Sequence, residues 1–377
     1  MNLIERKTDV VTGSVDMENL HTMENFPVFM GCVDHARDQD LFADLAWDIN
    51  IDSGLIQLKK LIPLDILYQS QHSGSVGGVW MSHHRAFAGF LEAQSPKSVL
   101  ELGGAHGILS MEYMARVKLP WTILEPNPAP VDGCEAIFIK GYFDESFKYS
   151  AEFDSVVHSH VFEHVYDPNK FMKYLSEFMA TGKKLVFSLP NMKAMLERNY
   201  TNCLNFEHTV FLTEPYIEFL LAKYGFKMLA KEYFMDNHSI FYAAIREDGV
   251  TALELPKGLY EKNKKLYEDY VLYHSKLVHE LNVKIGSESG PVYLFGAHVF
   301  SQYLIQTGLN TEKIINLLDN DPKKQGRRLY GTGLSVESPE ILRHIKNPKV
   351  ILKAGVYNEE IKSAILNEIN NSTVFLD

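Results

Sequence analysis

A glycine-rich turn near residue 100 has the residue types of a cofactor-binding site. In the run "SVLELGGAHGILSMEYMA" an apolar segment ends at Glu101, and a turn then leads into a helical pattern. Small residues let the backbone approach a ligand closely, and the N-terminus of the predicted helix points at the same place. The G-x-G-x-x-G spacing of dinucleotide sites is not met. The turn residues are Gly103, Gly104, Ala105 and Gly107.

A second acidic residue, Glu125, ends the next apolar run, "WTILEP", 18 residues after Gly107. A carboxylate at the tip of the strand beside such a turn accepts both hydroxyls of a ribose, which fits any adenosine cofactor. A dinucleotide and S-adenosylmethionine both meet this description. S-adenosylmethionine has no phosphate, so a shorter glycine pattern suffices for it. We assign Pro126, which follows the carboxylate, to the same site.

The elements that position these residues are predicted from their periodicity. Between residues 95 and 246, short apolar runs alternate with helical patterns, as in a parallel α/β sheet, and an antiparallel pair closes the series. A long helix is predicted over 259–285, and a second α/β unit begins at 291. The predicted strands are 98–102, 121–125, 136–140, 153–159, 184–189, 226–235 and 238–246. The expected divisions are an irregular N-terminal region (1–90), a cofactor-binding domain (91–250), a linker helix (251–288) and a C-terminal Rossmann-like domain (289–377).

Composition limits the class of protein. The 377 residues are 46% apolar and 23% charged, which is ordinary for a globular protein, and the net charge of −11 argues against a bulk nucleic-acid or membrane binder. No apolar run reaches the ~18 residues of a membrane helix, and the N-terminus lacks a signal-peptide pattern. The three cysteines are far apart, which indicates a reducing compartment. We therefore expect a cytoplasmic protein with a small-molecule substrate.

Further segments resemble class I S-adenosylmethionine-dependent methyltransferases. The run "FDSVVHSHVFEHVYDP" resembles their fourth strand and the loop after it, and "GKKLVFSLPN" resembles their fifth strand. The pair at 226–246 resembles their antiparallel edge. The resemblance implies a seven-stranded, mostly parallel sheet and favours S-adenosylmethionine over a dinucleotide. The cofactor residues it implies are Glu101, Gly103, Gly104, Ala105, Gly107, Glu125, Pro126 and His160, with Glu163 and His164 either capping a helix or lining the site.

The flanking segments resemble nucleotide-sugar C-methyltransferases more closely. The segments concerned are "NFEHTVFLTEPYIEFLLAKYGF", "LDNDPKKQGRRLYGTGLSVESPEIL" and "GLIQL". This resemblance implies a nucleotide-linked keto sugar as substrate and His208 as the general base, with Glu207 beside it. The alternative for His208 is a core histidine packed between Phe206 and Phe211.

The chain departs from that family at its zinc site. The family binds zinc through two C-x-x-C pairs, whereas the corresponding positions here hold Asp9, Thr12, Asn50 and Ser53. Zinc in structural sites is held by cysteine and histidine, so we predict no structural zinc.

A second departure concerns the family's tyrosine-rich segment, which here is "YQSQHSGSVGGVWMSHH". Tyr68 remains, and His72 becomes a candidate for substrate contact or catalysis, or else part of a surface loop. His83 and His84 are expected at a helix start, with metal binding as the alternative. The change leaves O-methylation of a sugar or glycan precursor as a second hypothesis, and a catalytically silent protein with the methyltransferase fold as a third.

The C-terminal unit poses its own choice. "LFGAH" is followed by Asp319, 23 residues after Gly296, which imitates a dinucleotide turn and its ribose-binding acid. A second, oxidoreductase site is one interpretation. The glycine fingerprint is absent, and in the resembling family this domain shapes the sugar-nucleotide cleft, so we favour the latter role.

Overall fold

The structure is a computed structural model that describes residues 1–68, 78–236 and 238–376. Strands β2, β4 and β5 form an antiparallel sheet in the N-terminal region, and β1 pairs with β6 beside it. A 3-10 helix at Arg37–Gln39 and the helix α1 (Leu64–Leu67) accompany them. The strands are β1 (Ile4–Glu5), β2 (Met17–Pro27), β3 (Cys32–Val33), β4 (Phe42–Asn50), β5 (Ile56–Leu58) and β6 (Lys60–Leu61).

The N-terminal region was expected to be irregular, and this expectation was wrong. The last six residues of β4 are all buried, so its side chains show no alternation between a wet and a dry face. The pairing of β2 with β4 shifts register twice, between Asn19 and His21 and between Met23 and Phe26. Each shift breaks the period-2 pattern by which a strand is recognised.

The four positions that correspond to zinc ligands lie in two turns of the same design. Asp9 Oδ1 accepts from the backbone N–H of Val11 at 2.6 Å and of Thr12 at 2.9 Å. Asn50 Oδ1 accepts in the same way from Asp52 at 3.1 Å and Ser53 at 2.8 Å. The Ser53 hydroxyl donates to the other oxygen of Asp9, which is 1% exposed. Hydrogen bonds therefore join the two turns directly.

A seven-stranded sheet forms the middle of the chain. Its strands are β7 (Val99–Leu102), β8 (Trp121–Glu125), β9 (Ile137–Lys140), β10 (Ser155–Ser159), β11 (Lys184–Pro190), β12 (Phe226–Phe234) and β13 (Ser239–Arg246). Their order is β12-β13-β11-β10-β7-β8-β9, with β13 antiparallel to both its neighbours and the other pairs parallel. All seven predicted strands are confirmed within two residues at each end. The fold is the class I methyltransferase α/β fold.

Helices cover both faces of this sheet, because its strands are apolar on both sides. On one face, Phe87 and Leu91 of α2 and Leu109 of α3 belong to a buried cluster with Ile123 and Val157. On the other, α4 and α6 pack over a larger buried cluster. The helices are α2 (Gly78–Ala93), α3 (Ile108–Met114), α4 (Pro168–Phe178), α5 (Met192–Glu197) and α6 (Glu214–Lys223). A 3-10 turn, Phe162–His164, follows β10.

The helix α7 (Leu259–Ser287) leads into the C-terminal sheet, which is parallel throughout with the order β17-β15-β14-β18-β19. Strand β16 pairs instead with β3 of the N-terminal region. The strands are β14 (Val292–Phe295), β15 (Ile314–Leu318), β16 (Arg328–Leu329), β17 (Val336–Glu337), β18 (Lys349–Leu352) and β19 (Val374–Phe375). The helical segments are α8 (Val299–Gln306), Pro339–His344, Gly355–Tyr357, α9 (Asn358–Ala364) and Ile365–Ile369. No helix in the described part of the chain has the length and apolarity to cross a membrane.

Candidate active site

The glycines of the turn after β7 let neighbouring segments pack closely against the turn. A Cβ on Gly103, where φ is +71°, would lie 2.7 Å from Cγ2 of Val161, in the loop after β10. On Gly107, where φ is +76°, it would lie 2.4 Å from the Cys134 sulfur. A side chain at Gly103 would therefore collide with the loop after β10, where the carboxyl ends of β7 and β10 lie side by side. This edge of an open α/β sheet is where ligands bind.

Glu125 lies at the end of β8, beside this turn. Its Oε2 accepts from the backbone N–H of Ala105 at 3.0 Å, and its Oε1 accepts from that of Asn127 at 2.9 Å. Each carboxylate oxygen can accept two hydrogen bonds, so each keeps an acceptor position for a ribose hydroxyl. The backbone of the glycine turn thus orients the Glu125 carboxylate, and Pro126 directly follows Glu125 in the sequence. These residues fit the adenosine part of S-adenosylmethionine.

Glu101 lies beneath the turn rather than on its surface. The residue is 3% exposed, and the Trp121 indole N–H donates to its Oε2 at 2.8 Å. A Cβ on Gly104 would meet the Glu101 carboxyl carbon at 2.8 Å. Burial raises the pKa of this carboxyl to about 7. Glu101 therefore supports the turn from inside the sheet.

His160 directly follows the carboxyl end of β10. Its backbone is in the left-handed region, with φ of +52°, which is unusual for a residue other than glycine. Its Nε2 is 3.2 Å from the Ser239 hydroxyl, and its Nδ1 is 3.2 Å from Oε1 of Glu163. The indole of Trp80 meets its ring edge-on at 4.9 Å. His160 thus joins a group of acidic and histidine side chains, and its neighbour Val161 faces Gly103 of the turn.

His208 lies in a loop after α5 that is organised by Asn205. Oδ1 of Asn205 accepts from the backbone N–H of Glu207 at 2.8 Å and of His208 at 2.9 Å. The imidazole Nδ1 is 3.3 Å from the Asn205 side-chain nitrogen and 3.4 Å from the carbonyl oxygen of Cys203. In the tautomer whose hydrogen is on Nδ1, the lone pair is on Nε2. Burial lowers the pKa of His208, against a smaller opposing effect of Glu163. The ring is therefore neutral at neutral pH and able to accept a proton.

The N-terminal region holds this loop in place. The backbone N–H of Leu58 in β5 donates to the Thr209 carbonyl at 2.9 Å, and Thr209 N–H donates to the Glu163 carbonyl at 3.1 Å. The buried guanidinium of Arg6 donates to the same Thr209 carbonyl at 2.6 Å and to that of Tyr166 at 2.5 Å. The loop that carries His208 is thereby fixed to the loop after β10.

Several ionisable side chains surround His208. The ring of His164 lies 5.5 Å from that of His208, between centroids, and Glu163 is 1% exposed beside them. Burial raises the pKa of Glu207 to about 8. The pKa of the half-buried Tyr68 phenol is raised by burial and by the nearby carboxyls of Glu207 and Glu163. Tyr68 therefore stays protonated at neutral pH and can donate a hydrogen bond.

Three other histidines from the predicted segments have different positions. His72 lies outside the described residues. His83 and His84 were expected at a helix start, but α2 already begins at Gly78, so both are inside it. His83 is fully buried, and its ring meets that of His160 edge-on at 5.0 Å.

Arg6 and Trp80 were not anticipated as contributors to this site. Arg6 contacts a residue 203 positions away, and no local pattern indicates such a contact. Trp80 precedes the histidine pair by a helical turn, and that spacing was the available signal.

In the C-terminal unit, Asp319 has a position like that of Glu125, but it is paired with a lysine. Oδ2 of Asp319 accepts from the Ala297 N–H at 2.9 Å, as Glu125 does from Ala105. The Lys324 ammonium also lies 2.9 Å from this oxygen. Asp319 is 8% exposed, so an internal ion pair occupies the position that a ribose would need. This arrangement argues against a second, dinucleotide site.

The domain that carries these residues has a counterpart among known protein families. A family model described as a methyltransferase domain matches residues 80–231, which include the glycine turn, Glu125, His160 and His208. No protein with a curated description matches the chain.

Similar solved structures resemble this chain over about half its length. The PH0226 protein of Pyrococcus horikoshii OT3 has 16% identity and a TM-score of 0.36, over 46% of this chain and 93% of its own. The magnesium protoporphyrin IX methyltransferase of Synechocystis PCC 6803, with bound SAH, has 14% identity and a TM-score of 0.37. The similarity covers 47% of this chain and 90% of that protein. The 1,6-didemethyltoxoflavin-N1-methyltransferase of Burkholderia thailandensis has 13% identity and a TM-score of 0.36. The similarity covers 52% of this chain and 98% of that protein. The strand order and the matched family model instead identify residues 80–231 as a methyltransferase domain, and the cofactor of this enzyme is S-adenosylmethionine.

Proposed function

We propose that the protein methylates a carbon atom of a nucleotide-linked keto sugar, with His208 as the general base. The observation that carries this proposal is the group of side chains beside the cofactor turn. A neutral imidazole, a protonated phenol and two buried carboxyls lie together there. Pairing a base with a hydrogen-bond donor suits proton removal next to a carbonyl group.

In this mechanism His208 Nε2 removes the proton from the carbon beside the ketone. The carbonyl of Cys203 orients the ring through Nδ1 and stabilises the imidazolium that forms. Tyr68 donates a hydrogen bond to the oxygen of the developing enolate. When bound, S-adenosylmethionine would supply the electrophilic methyl group that this carbon attacks. The buried surroundings suit a transfer in which the sulfonium charge is neutralised.

The other regions supply the walls of the proposed substrate cleft. The Thr201 hydroxyl donates to the carbonyl of Lys353 at 2.9 Å, and a hydrogen bond joins Trp80 of α2 to Tyr357. Both contacts bring the C-terminal unit against the methyltransferase domain close to His160 and His208. We therefore assign residues 1–90 and 289–377 to substrate binding, 91–250 to cofactor binding and catalysis, and 251–288 to their linkage.

O-methylation of a sugar or glycan precursor is the second candidate. The observation that favours it is the replacement of the tyrosine-rich segment by one in which Tyr68 alone of those tyrosines remains. With a hydroxyl substrate, His208 would remove the proton from oxygen as the oxygen attacks the methyl group. The residues around Glu125 would act in the same way in both reactions.

A substrate screen tests the proposal. The purified protein is incubated with S-adenosylmethionine and a panel of nucleotide sugars, half of them keto sugars and half their reduced alcohols. Mass spectrometry detects the added methylene mass, and NMR distinguishes a C-methyl from an O-methyl product. C-methylation restricted to keto sugars is the expected result. O-methylation of the alcohols would replace the first candidate by the second, and S-adenosylmethionine binding without any product would contradict both.

A further inference from the structure

Three side chains around the proposed base have the types and spacing of a metal site. Glu163 and His164 come from the 3-10 turn after β10, and His208 comes from the loop that Asn205 organises. One potential ligand atom from each of the three lies within 4.8 Å of the others. No ion is part of the structure, and the resemblance to methyltransferases does not imply one at this place.

The carboxylate of Glu163 is the strongest sign of a ligand here. The residue is 1% exposed, and no other described residue donates to its oxygens with full hydrogen-bond geometry, although Nδ1 of His160 lies 3.2 Å from Oε1. A buried carboxylate with open lone pairs is costly unless a cation or a donor satisfies it. His160 holds Oε1 from one side at 3.2 Å, and Nε2 of His164 approaches it at 3.8 Å. The carboxylate is thus positioned toward the two imidazoles.

The orientation of His208 also suits a metal ligand. A ligating histidine usually donates its other ring N–H to a carbonyl or carboxylate. Here Nδ1 lies 3.4 Å from the Cys203 carbonyl oxygen, with the Asn205 side-chain nitrogen at 3.3 Å. In a tetrahedral zinc site with bonds near 2.1 Å, ligand atoms lie roughly 3.4 Å apart. The ligand atoms of Glu163, His164 and His208 lie at most 4.8 Å apart, which is about 1.4 Å more than in such a site. A change of side-chain rotamers can close this difference.

We propose that Glu163, His164 and His208 bind a zinc ion, and that this zinc inhibits the enzyme by occupying the nitrogen that the proposed base requires. Two imidazoles and a carboxylate are a ligand set that suits zinc and leaves a fourth position open to the cleft. Zinc binding stands independently of the proposed function. The inhibition rests on that function, since it follows from the role of His208 as base.

Binding is tested with zinc alone on the full chain after treatment with a chelator. Competition against a chromophoric chelator gives the affinity of the tightest site, and Co²⁺ in place of zinc gives a visible spectrum that reports its coordination. Glu163→Gln and His164→Ala should each weaken this site more than about 100-fold, because loss of an outer-shell partner alone costs about 10–100-fold. The control is His279→Ala, an exposed histidine of α7, which should leave the site unchanged.

The possible outcomes test the zinc site and the role of His208 as base separately. Melting temperature and S-adenosylmethionine affinity are measured on each variant, so that a misfolded protein is recognised. One tight zinc per chain, lost in both variants and kept in the control, supports the site, whereas equal binding in all four proteins overturns it. With a substrate in hand, zinc should abolish turnover and a chelator should restore it. Turnover that persists with zinc bound would refute the base assignment and leave the metal site standing, whereas absence of tight zinc would refute the metal site alone.

Discussion

Replacement of Glu125 by alanine should weaken S-adenosylmethionine binding without unfolding the protein. The carboxylate lies at the end of β8, 8% exposed, with one oxygen on the Ala105 N–H and the other on the Asn127 N–H. The remaining lone pairs are those assigned to the two ribose hydroxyls. Loss of hydrogen bonds to a charged acceptor should cost about 1.5–3 kcal/mol of binding free energy, or roughly 10- to 150-fold in Kd.

Titration calorimetry with S-adenosylmethionine measures this change, and Asp319→Ala is the matched control. Asp319 has the same position in the C-terminal sheet and also accepts a backbone N–H, from Ala297 at 2.9 Å. Its removal should disturb the C-terminal unit by a similar amount while leaving cofactor affinity unchanged. Equal affinity for wild type and Glu125→Ala would refute the ribose assignment. Equal weakening in both variants would show that the effect is only structural.

Three further changes test other parts of the structure. Gly103→Val should abolish saturable binding of S-adenosylmethionine in calorimetry, because its Cβ would lie 2.7 Å from Val161; retained binding would place the cofactor elsewhere. Burial raises the pKa of Glu101 from 4.5 to about 7, so the folded state binds this proton more tightly than the unfolded state does. The free energy of unfolding should therefore fall by about 3 kcal/mol as the pH rises from about 4.5 to 7. Urea unfolding at several pH values should show this fall in wild type and a smaller one in Glu101→Gln, and parallel profiles would contradict the assignment. Asp9→Ala should lower the free energy of unfolding by about 2–4 kcal/mol, because it leaves two backbone donors and the Ser53 hydroxyl without their acceptor, and a change below 1 kcal/mol would contradict this role.

The central sheet could be predicted well because its signals are local. Parallel strands that are buried on both faces appear in the sequence as short continuous apolar runs, and here glycine, proline or acidic residues bound them. The N-terminal sheet was missed for the opposite reason. Most of β4 is buried on both faces, but Asp44 and Asp48 interrupt its apolar run, and the register shifts of β2 disrupt the alternation of that strand.

The candidate site could be predicted only in part. Glu125 and the glycine turn follow from local patterns, and His208 follows from the resemblance to a family. The contacts that hold His208 in place do not, because Arg6 reaches Thr209 across 203 residues and β5 adds its own backbone bond to the same loop. The joining of the Asp9 turn to the Asn50 turn was likewise invisible, since two polar turns far apart in sequence give no sign of meeting. The roles of individual residues in binding and catalysis stay predictions.

The most direct test of the account is a comparison of cofactor binding and turnover in His208→Ala. If His208 is the base, S-adenosylmethionine affinity and melting temperature should remain close to those of wild type, since the imidazole faces the substrate. Turnover of the methyl acceptor should fall by about 10²–10⁴-fold, the usual contribution of general acid–base catalysis. Full turnover by the folded variant would contradict the account and leave His208 as a core histidine.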